Sequence, residues 1–517
     1  MKHFSWIIAG ALLLMTAGCR EESDFVLSYA FKDQMAFKQA DSSFAGKFEV
    51  FWRGMNTNYA LWDFEKANGL DWDQVYEEYY PRFAALDAVD TLVSDAQLRT
   101  LLDEVVAPLH DGHLAIQMHN HVSGNRVISS PGPLRILAER KDEYLTVASF
   151  PPSLQYYIDA GEVLEAKEAS SSTFSSALRA SMSNLTAGIV FLQEKPDRTP
   201  EEEELLALYH QVYDALFAVA TKLASGDSKA AISDYNEIAL HYAYLNIPGL
   251  ETVDKVLNEY AISVKYALLK GNIAYLHFDS FKLSVYLNQL VIKEVFGTPS
   301  ASTQAVIDEV AAVWRAWFNA IQVHHKAGDL GGVIIDVRSN GGGLMYDYRY
   351  VLGALLPSGG YYVTDARFKR GPGRYDYSPV LPQYLSTLDE EHVTVTEEPI
   401  VVLCNCASVS MAEQTSLSAK LLDNGKLIGT RTWGGLCALS PNETYSNDYA
   451  GHVGIMDETP VFCYIPRELV ITKDGKVLEG QGVTPDIEIP LDLEAWKGGA
   501  GPDNQLDRAL QYIRTGN

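Results

Sequence analysis

The run Ile400-Val401-Val402-Leu403-Cys404 constrains this chain more than any other stretch. Five apolar residues without alternation read as a strand buried on both faces, which requires a sheet covered by helices on each side. A second run of this kind, Val333-Ile334-Ile335, lies upstream after Leu330-Gly331-Gly332. Each leads into unusual chemistry. The first passes through Asn405-Cys406-Ala407-Ser408-Val409 to Ser410-Met411-Ala412-Glu413, where the pattern turns helical: Leu417, Leu421 and Leu422 recur at helical spacing and Asp423-Asn424-Gly425 supplies a stop. A serine at that first helical turn lies beside unpaired backbone N–H groups, which stabilise negative charge developing on a ligand oxygen. The second run leads into Asp336-Val337-Arg338-Ser339-Asn340-Gly341-Gly342-Gly343. Glycines after a strand let the backbone approach a ligand and turn N–H groups toward it. The plain alternative is that Ser410 only caps its helix.

Together the two segments resemble the tail-specific (C-terminal processing) serine proteases and their relatives in the tricorn-core group. That family carries an Asp-x-Arg-x-Asn-x-Gly-Gly segment and a Ser-x-Ser-x-x-Glu segment, matched by Asp336 to Gly343 and by Ser408 to Glu413. Matching the glutamate makes Ser410, not Ser408, the counterpart of the family nucleophile. Three further segments fit in chain order: Leu109-His110-Asp111-Gly112-His113, Gly271-Asn272-Ile273-Ala274-Tyr275-Leu276-His277-Phe278, and Glu479-Gly480-Gln481-Gly482-Val483-Thr484-Pro485-Asp486. Family members of the Ser-Lys type carry a lysine where this chain has Gly435, within Gly429-Thr430-Arg431-Thr432-Trp433-Gly434-Gly435. Tricorn-type members use histidine as base, and His113 is the matching position. A serine precedes that histidine in those members; here Gly112 does, which leaves open whether Glu479 couples to His113.

The resemblance implies a multi-domain α/β fold with an N-terminal helical domain, a small β-rich and helical inserted region, and a mixed α/β protease core. The boundaries read as a signal peptide over 1–18, a lipid tether over 19–43, helices over 44–121, a β-rich segment plus helical insertion over 122–266, the catalytic core over 267–492 and a C-terminal tail over 493–517. Short strands are expected at Val127-Ile128, Leu134 to Leu137 and Tyr144 to Val147. No counterpart of the Gly-Leu-Gly-Phe loop of a PDZ module is visible there. Thr199-Pro200-Glu201-Glu202-Glu203 starts a helix with a capping residue, proline at the first position and early acids. A long amphipathic helix over 302–327 connects the strands near Ala274 and Val333, which implies a parallel pair.

Composition narrows the partners. With 517 residues there is room for a large core, and a net charge of −26 argues against nucleic acid and anionic lipid headgroups. Lys2 and His3 precede an apolar run from Phe4 to Met15, followed by Thr16-Ala17-Gly18-Cys19. A run this short reads as a signal peptide, and small residues leading into a cysteine resemble the bacterial lipoprotein processing site. Cys19 is then the lipidated first residue of an exported, membrane-anchored lipoprotein, periplasmic or on the outer-membrane surface, touching the membrane through that lipid only. Simple secretion is the alternative. Cys404, Cys406, Cys437 and Cys463 read as buried unpaired thiols. No His/Cys cluster has metal-ligand spacing and no nucleotide-binding glycine loop is visible, so neither metal nor cofactor is expected.

The chemistry implied is hydrolysis of peptides or protein C-terminal tails through a serine acyl-enzyme. Ser410 attacks, His113 acts as base, Glu479 orients or neutralises the base, and Met411 with Gly342 or Gly343 supplies oxyanion N–H groups. Asp336, Arg338 and Asn340 read as scaffold. The rival is an inactive peptide- or lipid-binding lipoprotein of the same fold.

Overall fold

The computed structural model describes residues 42–516, apart from 90–91, 150–151, 172–173, 225–227, 372, 389–392, 396, 438–451, 455 and 457–458. The signal peptide and Cys19 lie outside the described residues. Helices Phe44–Asn58, Trp62–Ala67, Trp72–Asp87 and Asp95–Val106 open the chain, followed by strands β1 (Ala115–His119) and β2 (Arg126–Ser129). The strand expected at Val127-Ile128 is present. The next two are not: Leu134 to Leu137 lies in the helix Pro131–Glu139, and Tyr144 to Val147 in the helix Lys141–Ser149. Short apolar runs fit either period. Here Pro131 at the first helical position and Asp142 and Glu143 in a first turn decide for helix.

Strand β3 (Val163–Ser170) precedes helices Phe174–Glu194, Pro200–Ala224 and Ser228–His241, which enclose a core of their own around Leu185, Val212, Leu216 and Tyr235. Then come β4 (Ser263–Leu269), β5 (Ile273–Phe278), the helix Ala301–Ala327, β6 (Gly332–Asp336), β7 (Tyr361–Phe368), β8 (Leu381–Leu385), β9 (Ile400–Cys404), the helix Met411–Leu421, β10 (Gly425–Gly429), β11 (His452–Val453), β12 (Val461–Tyr464), β13 (Glu468–Thr472), β14 (Ile487–Glu488) and the helix Asn504–Thr515. Among the described residues no helix is long and apolar enough to cross a membrane.

The main sheet has seven strands in the order β14-β10-β9-β6-β5-β4-β3. Its members from β14 to β5 run parallel, and β4 and β3 add antiparallel at one edge. Alternation along the buried strands sorts the core into two layers. Val333, Ile335, Ile400, Val402 and Cys404 share one core with the helices Ala301–Ala327 and Met411–Leu421, whereas Ile334, Val401 and Leu403 pack with Leu506, Ala509 and Leu510 of the last helix. This double cover is why both runs are apolar without a break. Neighbouring parallel strands β6 and β9 release their loops at the same carboxyl edge, where open α/β sheets hold their ligands.

The N-terminal helices do not stand apart from this core. Phe48, Phe51, Leu102 and Leu114 share one cluster with Cys437, Cys463, Ile465 and Leu469. Strand β1 lies between β2 and β12 in a second sheet of order β11-β12-β1-β2, with Ala115 opposite Tyr464 and Ile116 opposite Cys463. The remaining sheet, β13-β7-β8, sends its hairpin loop onto the N-terminal helices. There Arg374 bonds Asp73 at 2.5 and 3.0 Å and stacks over Trp52 and Trp62. Residues far apart in sequence are thus held at one edge of the main sheet.

Candidate active site

Ser410 occupies the N-cap position of the helix Met411–Leu421 with φ 58° and ψ −115°. An ordinary N-cap is extended, so a positive φ at a serine is strain that the surroundings must enforce. Ser408, wholly buried, donates its hydroxyl to Val337 O at 2.7 Å and accepts Asn405 N–H at 3.0 Å. Val409 N–H donates to Asn340 O at 2.9 Å. Glu413, 0% exposed, accepts Ser410 N–H at 3.2 Å and Gly435 N–H at 2.7 Å on Oε2, with Gly434 N–H at 2.8 Å and the Thr432 hydroxyl at 2.6 Å on Oε1. Burial raises the Glu413 carboxyl pKa against the pull of these donors.

The glycine loop lies against the serine. A Cβ on Gly342, whose φ is 83°, would stand 2.6 Å from Ser410 Cβ and 2.7 Å from Val409 O, so only glycine permits this approach. Asn340 shapes the loop by donating to Phe278 O at 2.8 Å and accepting Gly342 N–H at 2.8 Å. That second bond corrects the sequence reading: the Gly342 N–H is committed to Asn340 and does not face a ligand. Among the described residues, Gly343 N–H and Met411 N–H have no acceptor. Beneath them Asp336 accepts Arg338 at 2.9 and 2.6 Å and the Tyr275 hydroxyl at 2.7 Å, and Arg338 also pairs with Asp503 at 2.7 Å. These groups are scaffold, as their types suggested.

His113 arrives from the other side. Asp111 Oδ1 accepts the N–H groups of His113 at 2.6 Å and Leu114 at 2.8 Å, closing a tight turn that feeds directly into β1. A Cβ on Gly112 would meet Gly434 O and Gly435 Cα at 2.5 Å, so the two glycine segments are in backbone contact. A Cβ on Gly435 would lie 3.4 Å from His113 Cε1. The imidazole therefore stands beside the position where Ser-Lys enzymes carry lysine, and Gly435 in turn shares Glu413 Oε2 with Ser410. Among the described residues no hydrogen bond joins the imidazole to the Ser410 hydroxyl, and His113 Nδ1 is buried without a partner. Burial pushes the His113 pKa down to about 4, which keeps the ring neutral at neutral pH. Lys420 is engaged with Asp486 at 2.6 Å, and Lys426 lies over the Tyr512 ring, so neither serves Ser410.

Glu479, 0% exposed, accepts Gly112 N–H at 2.7 Å on Oε1, and Leu436 N–H at 2.9 Å and Cys437 N–H at 2.8 Å on Oε2. The link to the histidine loop survives the loss of the serine by running through the backbone of Gly112. One ring nitrogen of His113 and one oxygen each of Asp111 and Glu479 lie within 4.8 Å of one another. Burial raises both carboxyl pKa values; the Glu65 charge adds to the effect at Asp111, and the charges of Asp111 and Glu413 add at Glu479. Three such groups could approach a divalent cation, but the N–H groups turned onto both carboxyls are an arrangement for anions. Cys404, Cys406, Cys437 and Cys463 are buried and unpaired.

Sequence reasoning missed two residues here. Glu413 served only as an alignment mark, although Ser-x-x-Glu before a helix is a capping-box signal. Asp111 was quoted but given no task, although an aspartate two residues before a loop histidine is a turn-former with a second oxygen to spare.

Residues 272–489 match Peptidase family S41, and residues 41–107 match the Tricorn protease C1 domain. Those two segments are similar to the corresponding domains of tricorn-like peptidases of family S41. It is 28% identical over 182 residues to the tricorn protease of Thermoplasma volcanium, covering 35% of this chain and 14% of that one. For the tricorn protease of Thermoplasma acidophilum the figures are 27% over 188 residues, 36% and 15%. The chain thus spans a small part of the length of these relatives. Among solved structures, a putative peptidase from Parabacteroides merdae is similar at 18% identity over 92% of this chain and 98% of that one, with a TM-score of 0.47.

Proposed function

We propose that this chain hydrolyses peptide bonds through a Ser410 acyl-enzyme with His113 as general base. The observation that carries the reading is the imidazole beside Gly435: the place left by the absent lysine is lined by a histidine that burial keeps neutral. His113 Nε2 takes the Ser410 proton as Oγ attacks the carbonyl carbon, and the oxyanion settles on Met411 and Gly343 N–H. The imidazolium then protonates the leaving amine, and water, deprotonated by the same ring, releases the acid product. Glu479 holds the histidine loop against the serine helix. Loss of one oxyanion donor typically costs about 3 kcal/mol of barrier.

The substrates we propose are peptides or protein tails, reached from an envelope position with Cys19 as lipid anchor. Support for the anchor is the apolar run from Phe4 to Met15 ending at Ala17-Gly18-Cys19. Cleavage of a diverse peptide library by wild type, Ser410→Ala and His113→Ala tests the chemistry. Turnover by wild type alone is expected; equal turnover by wild type and His113→Ala removes histidine from the scheme. A wild type that binds peptides without cleaving them leaves a binding lipoprotein. Radiolabelled palmitate incorporated by the full chain but not by Cys19→Ala tests the anchor.

A further inference from the structure

Among the described residues, two buried polar atoms of the histidine loop have no partner: Asp111 Oδ2 and His113 Nδ1. Buried polar atoms in native proteins are almost always hydrogen-bonded, so a pair of orphans in one turn calls for a state in which they are satisfied. They belong to residues whose polar atoms approach within 4.8 Å, and Asp111 is 0% exposed. Its Oδ1 is pinned by the N–H groups of His113 and Leu114, which leaves Oδ2 as the oxygen without a task.

We propose that Asp111 is the positioning residue for His113, its Oδ2 accepting the Nδ1 proton so that Nε2 is left bare toward Ser410. The inference rests on the peptidase reading and adds a residue to it. Glu479 is poorly placed for this task, because its two oxygens already accept three backbone N–H groups from Gly112, Leu436 and Cys437. Its work is to clamp the loop. Asp111 reaches the ring by a small turn about its terminal torsion, which is a broad one, and catalytic hydrogen bonds often tighten only when substrate binds.

The proton balance is simple. Neutral His113 carries its proton on Nδ1, donated to Asp111 Oδ2. When Ser410 Oγ bonds to the carbonyl carbon, its proton passes to Nε2, and the imidazolium is stabilised by the Asp111 carboxylate, which gains no proton. Nε2–H is then delivered to the leaving amine as the C–N bond breaks. The N–H groups of His113 and Leu114 favour the Asp111 anion, whereas burial and the neighbouring acids oppose it, so a proton donor on Oδ2 is the contact the carboxylate lacks. Tyr59 and Glu65 face it from the N-terminal helices and Glu479 from the core, with Cys437 and Glu413 next to Glu479. Glu65 is itself tied to the Tyr59 hydroxyl at 2.9 Å and to His110 Nδ1 at 2.8 Å, so its charge is already engaged.

Asp111→Asn in the full chain keeps an oxygen for the two turn N–H groups and removes the anion. The expected result is a kcat lower by about 10²- to 10⁴-fold with KM within about threefold, as for other wrong-tautomer variants. The acid limb of kcat/KM should also move down, because the imidazolium loses the carboxylate that stabilises it. Wild-type kcat in Asp111→Asn, beside an inactive His113→Ala, overturns this inference and leaves the peptidase reading standing. Full activity in His113→Ala overturns that reading instead. Should Asp111→Asn fail to fold, ¹⁵N-histidine NMR of the unmodified chain decides, with the His113 signals assigned by their loss in His113→Ala. A ring protonated on Nδ1 and bare at Nε2 supports the assignment, and the opposite tautomer overturns it.

Discussion

Around Ser410, three side chains, Glu413, Asn340 and Ser408, take up buried N–H groups of both loops; around His113, Asp111 Oδ2 and Nδ1 of the ring are buried with no partner among the described residues. The serine half is assembled from two adjacent strand ends and is complete as it stands. The histidine half is drawn from segments hundreds of residues apart and is closed by backbone contacts between glycines. On the proposed reading, the groups around Ser410 are preorganised, whereas the His113 imidazole is held in place but not yet in working hydrogen bonds. Preorganised donors cost no rearrangement during reaction, and a base that tightens on substrate keeps the empty site from acting.

The sharpest way to break the serine half is Glu413→Ala. It leaves the N–H groups of Ser410, Gly434 and Gly435 buried without an acceptor, and the expected loss is about 3–5 kcal/mol of stability, read by urea denaturation. A loss below about 1 kcal/mol would show that the clamp is dispensable. On the other half, Gly112→Ser restores the residue of tricorn-type members yet forces a Cβ to within 2.5 Å of Gly434 O and Gly435 Cα. Activity should fall, not rise, by about 100-fold as the base moves away from Ser410. Gly435→Ala, with contacts of 3.3–3.4 Å, should cost far less.

Stability against pH distinguishes the halves further. The folded chain raises the pKa values of Asp111 and Glu479, so it binds their protons more tightly than the unfolded chain does. Stability must then fall as pH rises from acid through neutral, by about 2–4 kcal/mol between pH 5 and 9. Glu479→Gln should flatten that slope in chemical denaturation. An unchanged slope would place the strain elsewhere, for instance at Glu468, which burial pushes to about 7. The smallest change in stability is expected from Ser410→Gly, which relieves the φ of 58° and should raise stability by about 1 kcal/mol in the same denaturation assay.

Much of the serine half was legible in the sequence because its signals are local. Ile400–Cys404 is the strand that its apolar run implies, Met411–Leu421 is the helix, and the glycines after Asp336 do approach Ser410. The long helix Ala301–Ala327 and the start at Pro200 followed from periodicity and capping in the same way. The donor set was less legible: which glycine N–H stays free depends on the Asn340 side chain, and pattern does not reveal where an amide turns. The segment over 131–149 misled because short apolar runs suit a strand as well as a helix until neighbours settle the period. The bond from Gly112 to Glu479 spans the chain, and only the pairing of β1 with β12 brings the two together.

The most direct measurement is intact-protein mass spectrometry after treatment with a fluorophosphonate, followed by peptide mapping and by the labelling rate as a function of pH. One adduct is expected, on Ser410, formed by wild type and lost in His113→Ala. An adduct on another serine, or the same rate in His113→Ala as in wild type, would contradict it.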